Sequence, residues 1–211
     1  MKIIIHGGFF SESSTSNETK VAKQNALLRI VKDSYTFMET HSALETVVYA
    51  VSLLEDDELF NAGIGSQIQG DGKIRMSASL MDGTTEKFSG VINIEEVKNP
   101  IHVAEKLLPF DDRVLGGSGA TNFARKEGFE VFSTEIPQRR AEYEAKLKAT
   151  GTGTVGCVAF DKDGKIAVAT STGGKGFEIP GRISDSATVA GNYANANCGV
   201  SLTGVGEDIV S

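Results

Sequence analysis

The sequence predicts an α+β layered sandwich. Three observations support this prediction: strand-like segments lie near both ends of the chain, amphipathic helical segments lie between them, and the composition is that of a globular protein. The 211 residues are 40% hydrophobic and 23% charged, which is enough for one sizeable core. We therefore expect a single domain over residues 1–211.

The N-terminal part predicts one strand followed by two helices. The apolar run at 2–6 predicts the first strand, and a helix is expected over 19–39. A second helix should begin at Ser42, because Glu45 three residues later completes a capping box. Its apolar stripe at helical spacing consists of Leu44, Val47, Val48, Val51 and Leu54.

The middle of the chain predicts two antiparallel strands and two helices. Alternating segments at 73–80 and 88–94 are joined by the turn "MDGTTE". A helix should start at Pro100 with Asn99 as its cap, and another should cover about 118–126.

The last third begins with a charged segment at 133–153 that has no clear period, which predicts an exposed linker. After it, "VGCVAF" and "KIAVATS" flank "DKDG", a strong hairpin signal. A final strand is expected in "CGVSLTG".

Bulk properties exclude several classes of function. A net charge of −7 leaves no basic surface for nucleic acid, and no apolar run reaches the length of a membrane span. The N-terminal "MKIIIHGGFF" is too short for a signal peptide. Two cysteines provide neither a disulfide framework nor a metal spacing. We expect a cytoplasmic protein whose partner is a small-molecule substrate, with no nucleic acid and no membrane.

Threonines alternate with glycines just before the hairpin, which raises the possibility of a threonine nucleophile. A threonine hydroxyl needs a base, and cleavage of the chain before it would create an α-amino group with a pKa of about 7.7–8.0. Gly153 leaves its carbonyl accessible, and Val155 begins a strand that would hold Thr154. Thr150 and Thr152 lie inside the predicted linker. The alternative, a polar linker without chemistry, is favoured by the local sequence alone.

The segment "GTVGCVAFDKDGKIAVATSTGG" resembles the nucleophile region of the plant-type asparaginases and isoaspartyl peptidases, which are N-terminal nucleophile hydrolases. The resemblance continues in "PGRISDS", "AGNYAN" and "TGVGE", and upstream in "IHGG", "LFNAGIGS", "MDG", "NPI" and "GSGATNFARKEGFE". It covers nearly the whole chain in the family's order. It implies a four-layer αββα sandwich and a homodimer of αβ units.

The resemblance implies that Thr154 is the nucleophile of two reactions. In the first, its hydroxyl attacks the Gly153 carbonyl and divides the protein into an α chain, 1–153, and a β chain, 154–211. In the second, it attacks the side-chain amide of L-asparagine or the isopeptide carbonyl of a β-aspartyl dipeptide.

Three further residues match the family's catalytic positions. Thr172 matches a second threonine that hydrogen-bonds the nucleophile, and Thr203 with Gly204 matches the oxyanion hole. The alternatives are a strand threonine bonded to the backbone and a glycine turn after a strand.

Four residues match positions that bind substrate or support the nucleophile. Arg182 and Asp185 match a clamp on the substrate α-carboxylate and α-ammonium group, where a guanidinium suits a carboxylate. Gly206 would contact the ammonium group through its carbonyl, and Asn61 would support the nucleophile. A surface salt bridge is the alternative for Arg182 and Asp185.

The segment "LLEDDELFNAGIG" resembles the family's sodium-binding loop. A metal-free loop that ends a helix is the alternative, and no cofactor is expected for catalysis. The backbone carbonyls that the resemblance assigns to sodium are those of Leu54, Glu55, Asp57, Phe60, Ala62 and Ile64.

The sequence also departs from the family pattern. Ser77 and Ser79 stand where relatives often have an aspartate, and "HGGFF" replaces smaller residues after the glycines. The family normally continues beyond the "TGxGE" motif, so its C-terminal elements are expected to be missing. His6 and Cys157 are expected to be structural rather than catalytic.

Two other functions remain open at this stage. One is glycosylasparaginase, and the other is a non-processing homologue that binds an amino acid. A nucleotide-binding loop is disfavoured because "GSGATN" lacks a following Lys-Ser/Thr pair.

Overall fold

The computed structural model describes residues 1–8, 16–145 and 153–211. The strands are β1 (Lys2–His6), β2 (Met76–Asp82), β3 (Lys87–Ile94), β4 (Val114–Gly116), β5 (Thr154–Phe160), β6 (Ile166–Thr172), β7 (Asn192–Ala194) and β8 (Gly199–Ser201). The helices are α1 (Asn17–Met38), α2 (Ala43–Glu55), α3 (Pro100–Leu107), α4 (Gly117–Lys126), α5 (Pro137–Glu144) and α6 (Gly206–Ile209). A 3-10 helix spans Asp185–Ala187.

Within the described residues, six strands form one mixed sheet in the order β1-β5-β6-β2-β3-β4. All neighbours pair antiparallel except β3 and β4, which are parallel. Strands β7 and β8 pair with each other and pack against β6. The chain therefore has a mixed α/β architecture, in agreement with the predicted class.

The two faces of the large sheet are covered by different elements. Cys157 and Ala169 belong to the core that the sheet shares with α1, α2 and α3. Val168 belongs to a smaller cluster with Ala194 of β7. Because neighbouring strand residues point to opposite faces, helices cover one side and the two-stranded sheet covers the other.

Most predicted elements are confirmed with small shifts at their ends. The capping box of Ser42 and Glu45 is present, and the "DKDG" hairpin joins β5 and β6. Asn99 precedes α3, but its side chain bonds to Asp56 (2.9 Å) instead of capping the helix.

The predicted linker at 133–153 is wrong for its first half, which contains α5. No residue of α5 is buried. The helix is held instead by polar and ring contacts: Arg139 Nε donates to the Gly65 carbonyl (2.9 Å), and Tyr143 stacks on Phe177. Hydrophobic periodicity could not reveal such a helix. Residues 146–152 lie outside the described residues.

None of the helices in the described ranges combines the length and the apolar character needed to cross a membrane.

One buried carboxylate ties the β5–β6 hairpin to α2. Asp161 accepts hydrogen bonds from the backbone N–H groups of Ala43 (2.9 Å), Asp163 (3.0 Å) and Lys165 (2.9 Å). Burial alone would raise the pKa of Asp161, but the hydrogen bonds to the ionised form hold it below its ordinary value.

We expect Asp161→Ala to lower the free energy of unfolding by about 2 kcal/mol or more, because hydrogen bonds to a charged group contribute about 1.5–3 kcal/mol each. Since the folded pKa is depressed, this contribution is present above about pH 4 and is lost as the pH falls further. Urea denaturation at several pH values measures both effects. Asp163→Ala, an exposed change in the same turn, is the control, and equal losses in the two variants would contradict the assignment.

Candidate active site

The β5–β6 ladder places two of the predicted threonines opposite each other. Thr154 is the first residue of β5 and pairs in register with Thr172, the last residue of β6. Both are buried. The structure has residues 153 and 154 in one continuous chain, so the contacts described below are those with the Gly153–Thr154 bond intact.

The Thr154 side chain contacts a residue that sequence reasoning missed. Its Oγ1 lies 3.1 Å from Ser186 Oγ. Its backbone N–H donates to Thr203 Oγ1 (3.4 Å), and Thr172 Oγ1 accepts the Gly174 N–H (3.2 Å). While the Gly153–Thr154 bond is intact, the Thr154 hydroxyl therefore contacts Ser186.

A pocket of about 160 Å³ opens beside Thr154. It is lined by six of the residues that the sequence analysis singled out, and also by Glu207, which it did not. The six are Thr154, Thr172, Arg182, Asp185, Gly204 and Gly206.

The pocket contains charged groups of both signs. Arg182 forms a two-point ion pair with Glu207, through Nε (2.7 Å) and Nη2 (2.9 Å), and Lys175 lies 3.2 Å from the same carboxylate. The Arg182 guanidinium holds the pKa of Glu207 well below its usual range. Asp185 is buried, which raises its pKa, and its Oδ2 has no hydrogen-bond donor among the described residues.

Two glycines allow close packing at the site. At Gly206 a Cβ would lie 2.7 Å from Asp185 Oδ1 and 3.1 Å from Arg182 Nη2, so a side chain there would push the charged groups apart. Gly8 has a φ of +99°, and a Cβ there would lie 2.5 Å from the Cα of Gly153. The "IHGG" motif therefore packs directly against the peptide bond before Thr154.

Asn61 joins two loops next to Gly153. Its Nδ2 donates to the Gly174 carbonyl, its Oδ1 accepts the Gln67 N–H (3.0 Å), and its own carbonyl accepts the Gly173 N–H (2.8 Å). A Cβ at Gly153 would lie 3.4 Å from Asn61 Cβ. Asn61 is not among the pocket-lining residues, so its contacts position the loops around the site.

The loop after α2 folds back tightly on itself. The carbonyl of Glu55 accepts the Ile64 N–H (2.7 Å), and the carbonyl of Asp57 accepts the Phe60 N–H (3.1 Å). A carbonyl oxygen has two lone pairs, so each keeps one for a further partner. Among the described residues no cluster of His, Cys, Asp and Glu side chains could hold a metal ion.

The Glu55 side chain supports the end of β6. Its Oε1 accepts from Ser171 Oγ (2.6 Å) and from the Ile101 N–H (3.1 Å). Complete burial raises the pKa of Glu55 to about 8. Because Ser171 precedes Thr172, this contact fixes the strand next to the pocket.

His6 and Cys157 occupy structural environments. His6 Nε2 is 2.8 Å from Ser201 Oγ, which is itself 2.7 Å from Thr170 Oγ1, and burial lowers the pKa of His6. Cys157 is fully buried in the core, which raises the pKa of its thiol and disfavours the reactive thiolate.

Comparisons with known proteins show the family of this chain. A family model described as Asparaginase matches residues 1–148 and 132–211. An isoaspartyl peptidase/L-asparaginase of Synechocystis is 44% identical, with 100% of this chain and 69% of the relative covered. An isoaspartyl peptidase of Escherichia coli is 39% identical (97% and 71% covered). A plant-type L-asparaginase of Pyrococcus furiosus is 38% identical (97% and 74% covered). The chain therefore belongs to the family of plant-type L-asparaginases and isoaspartyl peptidases.

Proposed function

We propose that this protein is a self-cleaving threonine amidohydrolase that hydrolyses L-asparagine to L-aspartate and ammonia and cleaves β-aspartyl dipeptides. The observation that supports it most is the convergence of Thr154, Thr172, Arg182 and Asp185 on one pocket. The names of the related enzymes point to the same two substrate classes.

Self-cleavage converts the uncut chain into α chain 1–153 and β chain 154–211. Thr154 Oγ1 attacks the Gly153 carbonyl carbon, the C–N bond breaks, and the hydroxyl proton passes to the Thr154 nitrogen. Water then hydrolyses the ester, which releases the Gly153 carboxylate and restores the threonine hydroxyl. Both new chains remain parts of one domain.

In the cleaved protein the Thr154 amine acts as the base for its own hydroxyl. An α-amino group has a pKa near the working pH, whereas a lysine amine would be almost fully protonated. The hydroxyl attacks the substrate amide carbonyl, ammonia or the amino acid departs, and water hydrolyses the acyl-enzyme. Thr172 supports the nucleophile, and Thr203 with the Gly204 N–H stabilises the developing oxyanion.

Substrate recognition uses the charged groups of the pocket. Glu207 engages Nε and Nη2 of Arg182, which leaves Nη1 of the fork to bind the substrate α-carboxylate. The α-ammonium group supplies the donor that Asp185 Oδ2 lacks, and the Gly206 carbonyl adds a second acceptor. Asn61 holds the surrounding loops in place.

We also propose that the loop after α2 binds a structural sodium ion through the backbone carbonyls of residues 54, 55, 57, 60, 62 and 64. The second lone pairs of the Glu55 and Asp57 carbonyls support this proposal, because a hard cation prefers oxygen ligands. The ion would rigidify the loop that carries Asn61.

The number of layers in the fold, the oligomeric state and the cellular location are proposals as well. The helix layer, the six-stranded sheet and the β7–β8 sheet correspond to three layers of the αββα sandwich that we propose for this fold. We propose a homodimer of αβ units that acts in the cytoplasm, where the free thiols of Cys157 and Cys198 stay reduced.

Thr154→Ala should remain a single chain and be inactive, because both reactions use the same hydroxyl. Incubation of the purified protein, followed by gel electrophoresis and N-terminal sequencing, is the measurement, and the wild type should yield a new N-terminus at Thr154. Thr152→Ala should cleave like the wild type and serves as the control. A wild type that stays intact would instead support a non-processing amino-acid-binding protein.

Arg182→Ala should cleave itself normally but lose kcat/KM for L-asparagine by at least about tenfold. A hydrogen bond to a charged group contributes about 1.5–3 kcal/mol, and 1.4 kcal/mol corresponds to a factor of ten. The matched control is Arg140→Ala on α5, which breaks a similar ion pair with Glu135, a residue that precedes the helix. Unchanged kinetics in Arg182→Ala would remove this residue from the clamp. Parallel assays with a β-aspartyl dipeptide and a sugar-linked asparagine establish the preferred substrate.

Sodium should raise the melting temperature of uncut Thr154→Ala protein more than choline at equal ionic strength. A cation that binds only the folded chain stabilises it by mass action, and choline is too large to sit among the carbonyls. Thermal denaturation in sodium chloride and in choline chloride measures the difference. Identical curves in the two salts would refute the sodium site.

A further inference from the structure

We infer that Ser186 is a positioning residue for self-cleavage, whose hydroxyl holds the Thr154 hydroxyl while the Gly153–Thr154 bond is intact. The inference depends on the proposed self-cleavage. Its first support is the 3.1 Å contact between Ser186 Oγ and Thr154 Oγ1, in which both residues are buried.

The uncut chain needs such a partner more than the cleaved enzyme does. Before cleavage the Thr154 nitrogen is a peptide nitrogen, whose N–H donates to Thr203 Oγ1, and it has no basic lone pair. The hydroxyl of Thr172 accepts the Gly174 N–H. Ser186 Oγ lies 3.1 Å from Thr154 Oγ1 and either hydroxyl can donate, so the contact holds the attacking oxygen in place.

Ser186 is itself held in place by the sheet. It is completely buried in the 3-10 helix Asp185–Ala187, and its backbone carbonyl accepts a 2.6 Å hydrogen bond from Ser79 Oγ of β2. Thr154 is fixed by the β5–β6 ladder. The contact therefore joins two regular elements of one sheet, β2 and β5, through one turn.

The departures from the family pattern at 77 and 79 fit this arrangement. Ser79 donates to a carbonyl, which an ionised aspartate cannot do because a carboxylate only accepts hydrogen bonds. Ser77 Oγ accepts the Asn93 N–H (3.1 Å), and Asn93 Nδ2 donates to the Arg182 carbonyl (3.1 Å). Ser79 thus holds the Ser186 end of this segment directly, and Ser77 holds the Arg182 end through Asn93.

Ser186 undergoes no net chemical change in the reaction. Thr154 Oγ1 forms its bond to the Gly153 carbon, the C–N bond breaks, and the proton lost by the oxygen ends on the new amine. Once that amine exists, it serves as the base for the Thr154 hydroxyl. The contact with Ser186 is then less important for holding that hydroxyl. Self-cleavage should therefore depend on Ser186 more strongly than turnover does.

The test is the first-order rate of self-cleavage of full-length Ser186→Ala, followed by kcat for L-asparagine after cleavage is complete. We expect cleavage to slow by at least about tenfold and kcat to fall by a clearly smaller factor. Cleavage at the wild-type rate, or equal losses in both rates, would overturn the inference. If the alanine variant does not fold, Ser186→Cys, which keeps the volume but bonds weakly, is measured against the same two outcomes.

A matched pair of variants separates positioning from stability. Ser79→Ala and Ser89→Ala each remove a buried serine that donates to a backbone carbonyl, to Ser186 (2.6 Å) and to Ala104 (2.7 Å) respectively. Only Ser79→Ala should slow cleavage, whereas equal slowing in both would overturn the inference. A wild type that never cleaves would refute the proposed function itself, whereas a cleaving wild type with an equally fast Ser186→Ala variant would refute only the role of Ser186.

Discussion

The antiparallel pairing of β5 with β6 is the constraint on which the site depends. It sets Thr154 against Thr172 through backbone hydrogen bonds between two interior strands of the sheet, with β1 and β2 on either side. The ladder thus places the backbone of the proposed nucleophile, Thr154. The bond whose cleavage is proposed immediately precedes the first paired residue, Thr154, so breaking it removes no strand pairing.

Helix α2 braces this hairpin at both ends. Asp161, at the hairpin turn, binds the first N–H of the helix, and Glu55, the last helical residue, binds Ser171 beside the pocket. The helix has 13 residues and each strand has 7. At 1.5 Å and about 3.3 Å per residue, these correspond to about 20 Å and about 23 Å, so one helix spans the hairpin. Two buried carboxyl groups therefore fix the strand ends from the helix side.

Local sequence patterns are sufficient to predict much of the fold. The capping box at Ser42 and the "DKDG" turn are short-range signals, and the structure has both. Helix α5 was missed because it buries no residue and has no apolar stripe. Ser186 was missed for a different reason: its contact joins residues 32 positions apart, and a serine next to Asp185 has no distinctive local pattern. The ion pair of Glu207 likewise depends on long-range packing.

One turn, the 3-10 helix Asp185–Ala187, contributes to two stages of the proposed reaction. Asp185 lines the pocket that is proposed to bind substrate, and Ser186, the next residue, contacts the proposed nucleophile, Thr154. A displacement of this turn would affect both substrate recognition and self-cleavage. The proposed cleavage breaks the covalent link between Gly153 and Thr154 and turns the Thr154 nitrogen into an amine. The same step thus releases the α-chain end from the nucleophile and supplies the base that the uncut chain lacks.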